Sequence, residues 1–193
     1  MYDPDEGNIL IDGVPLREIK LDGYRKQIGY VPQDVFLFSD TVKNNIKFGH
    51  GEESGLWNEA AQMANVLEEV ESLKNGFETK IGERGVTLSG GQKQRISLAR
   101  ALVNDPNILI LDDSLSAVDT KTEKAILGSL NKILKDKTAI IITHRIFTLL
   151  QFDKIVVLDE GALVEYGSHV ELIQQNGLYK QLYDKQKIEE SIS

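Results

Sequence analysis

Cysteine is absent from the 193 residues, so neither a disulfide nor a thiolate metal site can be built from them, as fits the cytosol. Long apolar runs are missing too. Stretches such as 139–142 and 155–158 fall far short of the roughly 20 residues a membrane-spanning helix needs. The opening Met-Tyr-Asp-Pro-Asp-Glu is acidic and turn-like, unlike a signal peptide. Basic residues are in the minority, 22 against 30 acidic, and the net charge of −8 argues against a surface that coats nucleic acid. No internal repeat, low-complexity tract or inter-domain linker interrupts the chain. What remains is ordinary for a globular protein, 41% hydrophobic and 27% charged, and long enough for one domain, or a core with a sub-domain.

The densest chemistry lies in residues 88–119. Leu88-Ser89-Gly90-Gly91-Gln92 opens a basic helix: Ser89 is a good N-cap, and two glycines let first-turn amides approach an anion closely. The apolar run Ile108-Leu109-Ile110-Leu111 has the continuity of a strand buried on both faces, and it ends in Asp112 and Asp113. Carboxylates at the carboxyl end of such a strand sit where α/β proteins bind ligands. Phosphate chemistry with a divalent cation follows from this combination.

Around that segment, Asp12-Gly13 predicts a hairpin between short strands in 8–16, and 27–31 a strand stopped by Pro32. Helical signals take over from Val35 to Val86. One surface helix is expected over 58–73, with Ala61, Ala64, Val66, Leu67 and Val70 apolar. Helices are predicted over 89–104 and 120–134, and a buried strand over 138–143 ending at His144. A hairpin is expected about Glu160-Gly161, and a helix capped by Ser168 with Glu171 in capping-box spacing. After Gly177 comes a last helix, then a loose polar tail from Lys185.

Leu88–Gln92, continued by Lys93-Gln94-Arg95, resembles the signature motif of ABC-transporter ATPase domains. Residues 108–113 resemble their Walker B strand, and Ser116-Ala117-Val118-Asp119 their D-loop. Gln33 and His144 stand where the family has its Q-loop and switch histidine. The likeness runs in order from about Tyr2 to Tyr183. It implies an α/β P-loop NTPase core, mostly parallel sheet with flanking helices, plus a helical sub-domain. The implied division is 1–34 (N-terminal β remnant and Q-loop), 35–103 (helical sub-domain), 104–183 (C-terminal core) and 184–193 (tail).

The resemblance also implies ATP and Mg²⁺ as ligands. Asp112 would orient Mg²⁺ through water, with Gln33 sensing the ion and the attacking water, and His144 would bond the γ-phosphate. Ser89, Gly90, Gly91 and Gln92 would meet ATP held by a second ABC ATPase domain, and Asp119 would link the two nucleotide sites. Each has a plainer alternative: a polar strand end for Asp112, a helix N-cap for Asp119, a structural role for His144. Asp113 departs from the family, which has Glu there to polarise water. Its carboxylate is drawn back by about an ångström, a displacement that can cost ~10²-fold in rate. Such a site is associated with the poorly hydrolysing half of heterodimeric exporters. Residues 79–85 resemble the exporter loop that touches the transmembrane domains, with Glu83 and Arg84 as contacts or as a solvated pair. The implied location is the cytoplasmic face of a membrane.

A phosphate-binding loop, Gly-x-x-x-x-Gly-Lys-Ser/Thr, matches nowhere in these residues. In the family it lies upstream of the segment resembling Tyr2 to Gly13, so the chain is expected to be the C-terminal portion of an ATPase domain. The absent piece would be at least one βα segment, on the order of 30 residues. The expected function is then the nucleotide-binding part of an exporter, weak or inactive towards ATP alone. The alternative is a non-catalytic module lending its signature helix to a complete partner. A soluble ABC ATPase of DNA repair or translation fits less well, given the acidic balance and the absence of a zinc-site or coiled-coil insertion.

Overall fold

The computed structural model describes residues 4–48, 56–82, 85–134, 137–146 and 152–192. It divides into two compact units, Met1–Ile141 and Ile142–Ser193.

In the first unit, β1 (Leu10–Ile11) and β2 (Val14–Pro15) pair antiparallel. Asp12 and Gly13 between them both take positive φ, 48° and 80°, as a type I′ turn requires. A short helix, α1 (Leu21–Arg25), leads into β3 (Ile28–Val31). β3 lies parallel to β4 (Ile108–Asp112) in the register Ile28↔Ile108 to Val31↔Leu111, and β5 (Thr138–Ile142) completes the order β3-β4-β5.

Five helices follow: α2 (Val42–Lys47), α3 (Trp57–Met63) and α4 (Leu67–Ser72), then α5 (Gly90–Leu102), which packs on β3, and α6 (Thr120–Ile133). Ile96, Leu98, Ala99 and Leu102 of α5 join Val31, Leu109, Leu111, Val42, Ile46, Ile126 and Leu130 in one continuous core. β3 packs on α5 so closely that a Cβ on Gly29 would stand 2.5 Å from the Ala101 carbonyl oxygen.

Two expectations need correction. The single helix over 58–73 is two, broken where Asn65 turns to φ 54°. Asparagine tolerates that left-handed conformation better than most residues. The break still buries Ala61, Ala64, Val66 and Val70, so the apolar pattern was sound while the continuity was not. The apolar strand over 138–143 is not buried. β5 lies at the margin of its three strands, with Ile140 and Ile142 about half exposed.

In the second unit, β6 (Ile155–Asp159) and β7 (Ala162–Gly167) form the expected hairpin, turning at Glu160 and Gly161, both at positive φ. α7 (His169–Gln175) carries the full capping box of Ser168 and Glu171. α8 (Leu178–Ile192) begins where the Glu165 carboxylate accepts from the amides of Leu178 and Tyr179. It runs past Lys185, where the polar sequence suggested a loose tail. Its Gln186 grips the segment after β5, accepting from Ile146 N at 2.8 Å and donating to the His144 carbonyl. Leu172, Tyr179, Ile146, Ile155 and Val157 are this unit's core.

Candidate functional site

Residues at a parallel pair's carboxyl end leave the sheet together. β3 ends at Val31 opposite Leu111 of β4, so Pro32-Gln33 and Asp112-Asp113 emerge at the same sheet edge. Gln33 is exposed, and both aspartates are half-buried. Asp112 accepts a long hydrogen bond, 3.4 Å, from the Tyr30 hydroxyl on the adjoining strand. Partial burial, and then the Asp112 charge, push the Tyr30 phenol above its ordinary value. Asp113 sits at φ 41°, and its carbonyl accepts from Ser116 Oγ at 2.9 Å and Ser116 N at 3.3 Å. That turn redirects the chain from β4 into the loop before α6.

α5 begins with a capping box. Ser89 Oγ accepts from Gln92 N at 3.2 Å, while Gln92 Oε1 accepts from Ser89 N at 2.9 Å. Lys93 N returns to the Ser89 carbonyl at 3.0 Å. Among the described residues, the amides of Gly90 and Gly91 find no acceptor within the chain. The Ser89 hydroxyl accepts within the box, which leaves its own O–H as a further possible donor. Three donors thus converge at a helix N-terminus, an arrangement suited to a phosphate.

The two glycines are not equivalent. A Cβ on Gly91 would approach the Ala117 carbonyl oxygen to 3.0 Å, whereas one on Gly90 would make an ordinary 3.4 Å contact with the Ala117 Cβ. Gly91 therefore also serves packing.

Gln94 was not anticipated. It is almost fully buried one turn into α5, donates from Nε2 to Ser116 Oγ at 3.3 Å and accepts from Ala117 N at 3.0 Å. It ties α5 to the loop that leaves Asp113. Asp119 ends that loop as N-cap of α6, accepting from Thr122 N at 3.0 Å. Hydrogen bonds from Thr122 hold its carboxyl below the ordinary carboxylate value. The capping alternative for Asp119 is therefore realised.

Gln92 is fully engaged inside the chain, by Ser89 N at one end and Glu69 at the other. Buried Asn45 organises the loop before α2. Its amide accepts from Phe38 N (2.8 Å) and Arg100 Nη2 (2.9 Å) and donates to the carbonyls of Phe38 and Thr41. No periodicity signals a lone Asn of this kind, and none points to Gln94; only the fold shows their partners.

His144 belongs to the second unit and is exposed. Glu83 and Arg84 lie outside the described residues. Among the described residues no cluster of three or more acidic, histidine or cysteine side chains forms a metal cage. Mg²⁺ does not demand one, since it takes one or two carboxylates with phosphate and water for the rest. Asp112 at the sheet edge fits that manner of binding.

Comparison with known proteins agrees with this geometry. The chain is 49% identical over 187 residues to an ATP-dependent lipid A-core flippase of Salmonella typhimurium, covering 96% of the chain and 32% of that protein. It is 49% identical over 188 residues to the probable multidrug resistance ABC transporter ATP-binding/permease protein YheI of Bacillus subtilis, covering 97% and 32%. It is 44% identical over 192 residues to the mitochondrial iron-sulfur clusters transporter ATM1 of Chaetomium globosum, covering 97% and 32%. The chain thus spans about a third of the length of these relatives. The solved structure of a bacterial Atm1-family ABC exporter with ATP bound superimposes with a TM-score of 0.91 at 42% identity, covering 96% of this chain and 33% of that one. The fold is therefore the α/β ABC ATPase fold. A family model described as ABC transporter matches residues 1–116, more than half of the sequence, and the chain belongs to that family.

Proposed function

We propose that this chain is a portion of the nucleotide-binding domain of an ABC exporter, and that its signature turn completes an ATP site on a second ABC ATPase domain. The observation that carries the reading is the turn 89–91: two amides with no acceptor among the described residues beside a serine hydroxyl that accepts within the capping box and can still donate. Those donors match the oxygens of a terminal phosphate. Asp112 and Gln33 leave one sheet edge together, where Mg²⁺ and its water shell would be held. Bound MgATP would supply the phosphoryl group that is hydrolysed. This chain's part is to position donors, carboxylate and amide around it.

The printed names of the relatives describe a flippase, a multidrug resistance transporter and an iron-sulfur clusters transporter. That range supports membrane export as the parent activity while leaving the cargo to the membrane part. The second ATPase domain and the transmembrane domains are the partners in this reading, with Glu83 and Arg84 as contacts to the latter. The working location is the cytoplasmic face of a membrane. No helix among the described residues is long and apolar enough to cross one.

Asp113 in place of Glu makes this chain's own site the slower one of a heterodimer, while its intact signature turn serves the partner. The test is the turnover of a complete ABC ATPase domain with and without this chain. Stimulation by the wild-type chain, lost in Ser89→Arg, supports the reading, and equal turnover in all three samples overturns it. In titration calorimetry the chain alone is expected to show little MgATP binding, because no phosphate loop lies within its 193 residues. Micromolar binding would contradict that part.

A further inference from the structure

We propose that Glu69 is a positioning residue for the signature turn, setting from α4 which way the Gln92 amide faces and so which donors of 89–91 point outward. This deepens the reading above and rests on it.

A glutamine side chain can present either end, and only its oxygen can accept from Ser89 N. Glu69 decides the choice. Its Oε2 lies 3.0 Å from Gln92 Nε2, and a carboxylate can only accept, so the NH₂ must face Glu69 and the oxygen must face Ser89. The carboxylate is itself held by Arg95 in a two-pronged pair, Nη1 to Oε1 at 2.7 Å and Nη2 to Oε2 at 2.9 Å. Arg95 in turn donates to the Asn65 carbonyl at 2.9 Å and, from Nε, to the Gly91 carbonyl at 3.2 Å. The arginine is nearly buried and the glutamate partly exposed, so the charge pair is screened on one side only.

The network therefore reaches the turn twice, at Ser89 through Gln92 and at Gly91 through Arg95. It also explains the break at Asn65. The left-handed residue there turns its carbonyl toward Arg95 and starts α4 where Glu69 can meet α5. With Glu69 removed, the Gln92 amide is free to rotate. Ser89 N then loses its acceptor for part of the time and competes with Gly90 and Gly91 as a donor, which blurs the site.

The test is amide hydrogen exchange by NMR on the 193-residue chain. Glu69→Ala is expected to speed exchange at Ser89 about fivefold, the size of a lost N-cap bond, and to leave residues 98–102 of α5 and β3 unchanged. Glu69→Gln keeps one accepting oxygen and should fall between. An unchanged Ser89 rate, or equal acceleration throughout α5 and β3, overturns the proposal, the latter because it marks a general stability contact. Should Glu69→Ala fail to fold, Glu69→Gln read the same way decides.

A second arm measures MgATP-dependent association with a complete ABC ATPase domain. Glu69→Ala should weaken it about fivefold, with recovery in Glu69→Gln. A local exchange change without weaker association overturns the positioning role. If the wild-type chain does not associate at all, the composite-site reading fails, and the exchange arm still decides what Glu69 does to the turn.

Discussion

Replacing Gly90 with alanine should make this protein more stable and less useful. The Cβ meets only the Ala117 Cβ at 3.4 Å, an ordinary contact, and no positive φ stands in the way. Removing a glycine's unfolded-state freedom at such a site stabilises by about 0.4–1 kcal/mol. For a chain of this length that raises the midpoint of thermal unfolding by about 1–4 °C. Gly91→Ala has the same intrinsic gain, but its Cβ comes to 3.0 Å of the Ala117 carbonyl oxygen. Gln94 holds the Ala117 amide and Ser116, so that carbonyl cannot move aside freely. The gain should be cancelled or reversed. Thermal and urea unfolding of both variants give the stabilities, and MgATP-dependent association with a complete ABC ATPase domain gives the function. Gly90→Ala should associate at least about tenfold more weakly, because the added methyl crowds an amide that donates to phosphate. A destabilised Gly90→Ala would refute the turn's packing, and a stabilised variant that still associates fully would refute its role.

Asn45→Ala removes the side-chain partner of four polar groups around the loop before α2 and should cost on the order of 2–3 kcal/mol by urea unfolding, since those groups are wholly or partly buried. Gly29→Ala should destabilise by about 1–3 kcal/mol, because the obstruction at 2.5 Å is the Ala101 backbone; a neutral result would mean that β3 and α5 are further apart. Burial and the nearby Tyr183 push the Tyr179 phenol up to about 12 from 10.0. The unfolded chain therefore loses that proton first as pH rises. The stabilisation is complete below pH 10 and lost between 10 and about 12, and Tyr179→Phe should flatten that part of the unfolding profile. In a reconstituted ATPase domain that supplies the phosphate loop, Asp113→Glu should raise turnover by up to about 10²-fold, with the KM for MgATP little changed. No increase would show that the aspartate is already well placed.

The parts of this fold legible in the sequence are those written in short-range chemistry. Asp12-Gly13, Ser168 with Glu171, and Ser89 before two glycines each specify a turn or cap within four residues, and the structure shows all three. Strand β4 was legible because an apolar run ending in carboxylates has few other uses. The rest depended on distant partners. Nothing near Asn65 announces that its carbonyl will meet Arg95, thirty positions away, so the helix over 58–73 read as unbroken. Gln94 was legible only as part of a motif and Glu69 only as an acid on a helix, and their roles emerge only once α4, α5 and the 113–119 loop are brought together. β5 erred in the other direction: its sequence is that of a covered strand, yet Ile140 and Ile142 are half exposed.

The most direct measurement is sedimentation velocity on an equimolar mixture of this chain and a complete ABC ATPase domain impaired in hydrolysis, with MgATP and then with MgADP. A one-to-one complex is expected with MgATP, absent with MgADP and abolished by Ser89→Arg. A complex that forms equally with either nucleotide, or survives Ser89→Arg, would contradict the claim that the turn 89–91 grips the terminal phosphate of a partner's ATP.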